Sequence, residues 1–350
     1  MRVLHYLELE GPLRRSGIGT STTHQRTALE SLDRHVDVVT RPFRDSPAAI
    51  LPRILRGDRL VRAYDLAHVN GIGPGSLAVA RHANWTGRPL VIHAHVTPED
   101  FAGSFRYSTH VAAPLGRYLR RLYSQADLVC CPSEYTKTRL ERLGVDAPIE
   151  PITNGVDFES LDGVDRRREA ARNRYDLDGT VVFAVGNVFE RKGLSTFCRL
   201  AARSEHEFVW FGPYDRGPHA SRSVRYWTDT SPPNVTFTGW IEDKRDAFAA
   251  GDVFCFPTRA ENQGIAVLEA MACGKPVILR KLPVFEEWYT HGEDCLFCET
   301  EAEFLEAIER IRTDPDLGNR LGRRARETAR AHRLEVVGQR LLDAYDRCIE

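Results

Sequence analysis

Short aliphatic and β-branched runs alternate along the chain with longer segments whose apolar positions recur every three to four residues. In the first half the runs are Met1–Leu7, Val36–Val39, Leu66–Val69, Leu90–Ala94 and Asp127–Cys130. A second series runs through Thr180–Gly186, Phe208–Phe211, Val235–Phe237, Val253–Phe256 and Pro276–Leu279. Strands that alternate with helical patterns predict βαβ units on parallel sheets, and two series predict two doubly wound α/β domains. Between them lie Pro148–Asp157 and a charged stretch, Asp162–Arg174, with the look of a surface helix. This places an N-terminal domain at 1–158 and a C-terminal domain at 159–335. Val337, Leu341, Leu342 and Tyr345 then recur at helical spacing, so a helix over 336–350 is expected to pack back on the first domain. A length of 350 residues agrees, because single cores stop growing at about 250 to 300 residues.

Composition narrows the class. Hydrophobic residues make up 42% and charged residues 28%, which suits a folded globular protein and excludes disordered and collagen-like chains. The net charge of −1 offers no nucleic-acid field. Residues 1–157 nevertheless carry 20 basic and 16 acidic side chains against 28 and 33 in the remainder, so the first half is the basic one. The eight cysteines are scattered and the chain opens directly on a strand pattern, which points to a reducing, cytoplasmic setting. Cys295 and Cys298 have a metal spacing but no second ligand pair, and no metal is expected. No apolar run approaches the ~20 residues of a membrane span.

Ligands of doubly wound domains bind at the carboxyl ends of the strands, so chemistry is sought in strand-to-helix turns. The richest turn is Pro257–Val277. Glu261 precedes a short helix and Glu269 lies inside it, with Gly264 allowing close backbone approach and the helix start offering N–H groups to an anion. Helix capping by Glu261 and a surface Glu269 are the alternative. In the turn Val185–Gly193, Arg191 and Lys192 either neutralise a diphosphate or form a solvated basic loop. Gly17 and Gly19, after the first strand, lack the third glycine of a dinucleotide fingerprint and suggest a loop that approaches ligand, or an ordinary turn. Strand alternation puts His93 and His95 on one face; His93 reads as a core histidine, and His95 as a donor to a sugar hydroxyl or carbonyl. Asp176 and Asp178 resemble a metal-binding pair but fall in the charged surface segment.

These residues resemble the retaining GT-B glycosyltransferases of family 4. Glu261 to Glu269 is similar to that family's E-x7-E motif, continued as Glu269-Ala-Met-Ala-Cys-Gly-Lys-Pro-Val277. Arg191-Lys-Gly193, Asn154-Gly-Val-Asp157, Pro233–Gly239 and the Gly17-Ile-Gly19 segment also stand where the family has its motifs. The resemblance implies a GT-B fold, two Rossmann-like domains facing a central cleft. It further implies transfer of a hexose from a nucleoside-diphosphate sugar with retained anomeric configuration and no bound metal or other cofactor.

By that resemblance Arg191 and Lys192 would hold the diphosphate and Glu269 the donor ribose. Glu261 and the backbone of Asn262, Gln263, Gly264 and Ile265 would hold the sugar hydroxyls, and His95 would stand near the transferred sugar. Gly17 and Gly19 would border the donor phosphate, and the backbone of Gly239, Trp240 and Ile241 the nucleobase. Asn187 replaces the usual arginine of the phosphate loop, leaving Arg191 as second cation. The segment Glu261-Asn-Gln-Gly264 is similar to the branch that glucosylates diacylglycerols, which implies a hydroxyl of a lipid, lipid-linked glycan or polysaccharide precursor as acceptor.

Two segments bear on contact with an anionic membrane. On a helix from Leu115, Leu119, Leu122, Tyr123 and Ala126 share one side and Arg117, Arg120 and Arg121 the other; Ile50, Leu51, Ile54 and Leu55 against Arg53, Arg56 and Arg59 form a poorer pattern. A sheet-covering helix with a basic outer face is the preferred reading, and peripheral membrane binding the alternative. Rivals to the whole are a transferase making a soluble disaccharide or sugar phosphate, and a non-catalytic nucleotide-sugar-binding subunit.

Overall fold

The computed structural model describes residues 1–13, 15–32, 36–40, 63–101, 108–217 and 220–350. Arg14 and the apolar and basic positions from Ile50 to Arg59 lie outside these residues. The described chain forms two compact units, one of residues 1–97, 114–154 and 334–350, the other of 98–113 and 155–333. Against the expected 1–158 and 159–335, the second unit thus takes in residues 98–113. A physical reason is at hand in Asp100, whose carboxylate is ion-paired with Arg191 of that unit at 2.8 Å.

The first unit is a six-stranded parallel sheet of β1 (Arg2–Tyr6), β2 (Asp37–Val39), β3 (Leu66–Val69), β4 (Leu90–His93), β5 (Leu128–Cys131) and β6 (Ile149–Pro151), in the order β2-β1-β3-β4-β5-β6. Its central strands are buried on both faces, as near-continuous apolar runs require. The helix Leu334–Ile349 closes the core, with Val337, Leu341, Ala344 and Tyr345 buried against Val3, Ala28, Leu66 and Val91. Gly338 permits that packing, because a Cβ there would lie 2.5 Å from the Ala28 carbonyl oxygen. In the helix Ser108–Tyr123, Leu119, Leu122 and Tyr123 are buried while Arg117, Arg120 and Arg121 are exposed, the arrangement of a helix covering a sheet. No described helix is long and apolar enough to cross a membrane.

The second unit holds β7 (Val181–Val185), β8 (Glu207–Phe211), β9 (Val235–Gly239), β10 (Val253–Phe256), β11 (Val277–Arg280) and β12 (Leu296–Cys298), all parallel, in the order β12-β11-β10-β7-β8-β9. Its core is aromatic. Phe183, Phe197, Phe208, Trp210, Phe254 and Phe256 are fully buried, and Phe197 meets Phe208 and Trp210 edge-on with centroids 5.1 Å apart. Each such side chain contributes about 1.5 to 3 kcal/mol by leaving water, which gives this sheet a stiff base for its loops.

Both strand orders reverse direction once. In the first sheet β1 and β3 flank the reversal; in the second β7 and β10 do. Loops leaving such neighbours at their carboxyl ends part to opposite sides and leave room for a ligand between them.

Candidate functional site

In the second unit the loops after β7 and β10 carry the predicted cations and carboxylate. Lys192 Nζ lies 2.7 Å from Glu261 Oε1 and 5.0 Å from the Phe256 ring centre. Arg191 Nη1 lies 2.8 Å from Asp100 Oδ1 and 3.5 Å from Glu261 Oε1, and it donates to the Ala260 carbonyl at 2.7 Å. The loops are drawn together at Gly193, whose φ of +86° and position suit only glycine: a Cβ would fall 2.3 Å from the Pro257 carbonyl oxygen. Thr258 Oγ1 ties the same turn by bonding to the Arg191 and Ala260 carbonyls and, at 3.4 Å, to Glu261.

Glu261 is buried, which by itself would raise its pKa. The charges of Lys192 and Arg191, with hydrogen bonds from Lys192 and Thr258, outweigh burial and hold the carboxyl below its ordinary value. Asp100 moves the other way. Burial raises it, the Arg191 charge only partly offsets that, and the Glu261 charge adds to it. The turn therefore holds one firmly ionised carboxylate and one whose charge is opposed by its surroundings.

Gly264, at φ +87°, turns the chain into the helix Ile265–Ala272. Glu269, in the second turn of that helix, is buried and accepts from Lys244 Nζ at 2.8 Å. Burial lowers the Lys244 pKa, but the Glu269 charge and hydrogen bond carry the net shift upward. Gln263 is buried, and Asn262 and Ile265 are half-buried. Gly239 ends β9 in the left-handed region at φ +70° with open space where a Cβ would be; Trp240 beyond it is 40% exposed and Ile241 half-buried. Gly212 and Gly186 let adjacent loops touch, since a Cβ on Gly212 would lie 2.1 Å from the Gly186 carbonyl oxygen.

His95, Gly17 and Gly19 belong to the first unit, and the charged turn to the second. Here one expectation is corrected. Gly17 and Gly19 are in the first turn of a regular helix, Gly17–Glu30, and not in an open loop. Ser16 caps that helix by accepting from the Gly19 N–H at 3.3 Å, and neither glycine has a positive φ. Asn154 anchors the same helix, its Oδ1 accepting from Ser21 Oγ at 2.6 Å.

His93 and His95 do share a face, their rings stacked with centroids 4.3 Å apart. They belong to a larger cluster with His5 and His68. Gln25 accepts from His5 Nε2 at 2.9 Å and donates to His93 Nδ1 at 2.9 Å. Asn70 Oδ1 takes a hydrogen bond from His95 Nε2 at 2.8 Å. Burial, with the charge of Arg26 for His5, lowers His5 and His93 to about 3. Burial and the neighbouring imidazoles push His68 and His95 well down as well. All four rings are neutral at pH 7. Beside them Glu8 accepts from the N–H groups of Gly75 and Ser76 at 2.8 and 3.4 Å. Gly71, Gly73 and Gly75 close around it and around Tyr6, with no room for a Cβ at any of the three.

Four residues of these turns escaped the sequence reading: Asp100, Lys244, Thr258 and Glu8. Lys244 and Asp100 stand far along the chain from the groups they pair with, and nothing in their local sequence marks them. Glu8 had a signal in the glycine-spaced segment Asn70–Gly75, which predicts a backbone wrapped closely around something. Asp176 is an exposed helix C-cap in the left-handed region. Among the described residues no group of three or more His, Cys, Asp or Glu side chains could hold a metal ion, and all eight cysteines are free thiols.

Comparison with known proteins bears on the fold and on the chemistry. Residues 16–160 match the family model for Glycosyltransferase Family 4, and residues 179–314 that for Glycosyl transferases group 1. The chain is 29% identical over 356 residues to a processive diacylglycerol alpha-glucosyltransferase of Acholeplasma laidlawii, covering 100% of this chain and 99% of the relative. It is 30% identical over 255 residues to a lipopolysaccharide core biosynthesis glycosyltransferase of Rhizobium meliloti, 70% of each chain. Among solved structures, HepE of Anabaena in complex with UDP and glucose superposes with a TM-score of 0.78 at 19% identity, covering 99% of this chain and 100% of that one.

Proposed function

Since the chain belongs to the family 4, group 1 glycosyltransferases of GT-B fold, we propose that it moves a hexose from a nucleoside-diphosphate sugar to a hydroxyl of a membrane lipid or lipid-linked glycan, retaining the anomeric configuration and using no bound metal. The observation that carries this reading is the paired Arg191 and Lys192 beside a buried, ionised Glu261 at the β7/β10 strand-order reversal. In the transfer, the bond from the anomeric carbon to the diphosphate oxygen breaks and its electron pair leaves with the phosphate. Preorganised cations stabilise that charge, the role a metal ion plays elsewhere. The acceptor oxygen bonds to the anomeric carbon on the same face, and its proton passes to a phosphate oxygen.

In this scheme Glu261 and the backbone from Asn262 to Ile265 position the sugar hydroxyls, and Glu269 takes the ribose hydroxyls in place of Lys244. Gly239 to Ile241 border the base. His95, neutral and donating its Nε2–H to Asn70, stands beside the transferred sugar or its acceptor. Gly17 and Gly19 offer backbone N–H groups at a helix start to a phosphate.

The lipid acceptor is supported by the diacylglycerol glucosyltransferase among the relatives and by exposed arginines on the helix Ser108–Tyr123, which suit a peripheral site on an anionic cytoplasmic leaflet. The test is incubation of the protein and UDP-glucose with vesicles of phosphatidylglycerol containing diacylglycerol, with and without EDTA. A glucolipid with an α-anomeric proton signal, formed equally with EDTA, is expected. A β-linked product overturns retention, loss of product with EDTA overturns metal independence, and product only from soluble sugars overturns the lipid acceptor.

A further inference from the structure

The charged turn of the second unit is electrically complete before any ligand enters. Arg191 and Lys192 supply two positive charges, and Glu261 and Asp100 supply two carboxylates within hydrogen-bonding distance of them. A diphosphate adds at least two negative charges to this partly buried place, and uncompensated buried charge is strongly unfavourable. One resident anion has to give way, and the two are held differently. Glu261 is held by Lys192 at 2.7 Å and by Thr258 at 3.4 Å, on the turn between β10 and its helix. Asp100 stands on the four-residue turn Pro98–Phe101, its side chain 22% exposed, with its carboxylate on the guanidinium the phosphate needs.

We propose that Asp100 is a resident stand-in for the donor's phosphate, occupying its place on Arg191 while the donor is absent and yielding it when a nucleoside diphosphate arrives. The inference rests on the donor-site reading above. It accounts for a feature that reading leaves unexplained, namely why a site built to receive a polyanion contains a second carboxylate in contact with its arginine. With Asp100 in place, Arg191 is kept aimed and its charge compensated, so a desolvated guanidinium is not left bare between turnovers. The same carboxylate sets a threshold: a diphosphate, with several charged oxygens to offer, displaces it, whereas a neutral sugar does not.

Titration calorimetry with UDP and with inorganic diphosphate, on the full chain and on Asp100→Asn and Asp100→Ser, tests the idea. Both variants remove the competing charge, and the first keeps the shape. Both probes are expected to bind about tenfold more tightly to the variants, as removal of a close like charge predicts, while glucose affinity stays unchanged. A carboxylate whose role is only to hold Arg191 in shape gives the opposite sign, since its loss loosens the guanidinium and weakens binding. Equal or weaker binding of both probes to the variants overturns the inference and leaves the donor site standing. Failure of the full chain and both variants to bind either probe overturns the donor site as well. Should Asp100→Asn not fold, as judged by its unfolding transition, Asp100→Ser carries the same comparison.

Discussion

The two sheets reverse their strand order once each, and the residues gathered near those reversals carry opposite chemistry. At the β1/β3 reversal the first unit buries four imidazoles that burial keeps neutral, tied by Gln25 and Asn70. At the β7/β10 reversal the second unit buries Glu261 and holds it ionised with the half-buried Arg191 and Lys192. Burial acts on both; what differs is the partner supplied. An imidazole faced with other imidazoles and side-chain amides gives up its proton, while a carboxylate faced with two cations keeps its charge. A place for a polyanion needs fixed charge, and a place for neutral hydroxyl groups needs oriented dipoles.

The most severe test removes one charge. Lys192→Ala should lower transfer about 1,000-fold, in line with the loss of a preorganised group facing developing charge, while circular dichroism and the unfolding transition stay close to those of the parent. Activity within tenfold of the parent would show that the cluster only holds the loops.

Acid separates the two reversals by stability. His5 and His93 have folded-state values near 3, below the unfolded 6.5, so the unfolded chain binds more protons between those limits. Their contribution is complete above pH 6.5 and is lost as pH falls, by about 2 kcal/mol for each at pH 5. Glu261 is also depressed, but from 4.5, so its contribution holds until pH falls below that value. Hydrogen exchange at pH 7, 6 and 5 should show the first unit opening while the second remains protected. His93→Gln should reduce the slope of stability against pH by the share of one proton, about 1.4 kcal/mol per pH unit. Simultaneous opening of both units at pH 5 would break the comparison.

Smaller effects contrast two glycines. Gly193→Ala places a Cβ on the Pro257 carbonyl at a left-handed φ and should cost about 3 kcal/mol in urea unfolding. Gly17→Ala, with nothing within 4 Å and a helical φ, should leave stability unchanged or raise it by up to about 1 kcal/mol. If Gly17→Ala nonetheless lost transfer, backbone access at that helix start would be the reason.

Much of this was legible in the chain itself, and the particulars show why. Glu261, Gly264 and Glu269 fall in one continuous strand–turn–helix, so spacing alone placed them. Arg191 and Lys192 were legible for the same reason. Gly17 and Gly19 misled, because glycine spacing reads as a loop and the capping Ser16 before them outweighs their poor helix propensity. His5 and His68 were hidden inside apolar strands; only the parallel register that pairs them, His5 with His68, makes them a cluster with His93. Lys244 and Asp100 depend on contacts made by folding alone, and no local pattern announces those.

The helix Leu334–Ile349 gives the chain a timetable. It completes the core of the first unit with residues that a ribosome adds only after all of the second unit. During synthesis the earlier-made sheet therefore stays unfinished, with the surface around Val3, Leu66 and Val91 uncovered, while residues 155–333 emerge with everything their own core requires. The second half of the protein is expected to mature before the first, and a nascent chain arrested ahead of Leu334 should protect the later-made unit from protease while the earlier one is still cut.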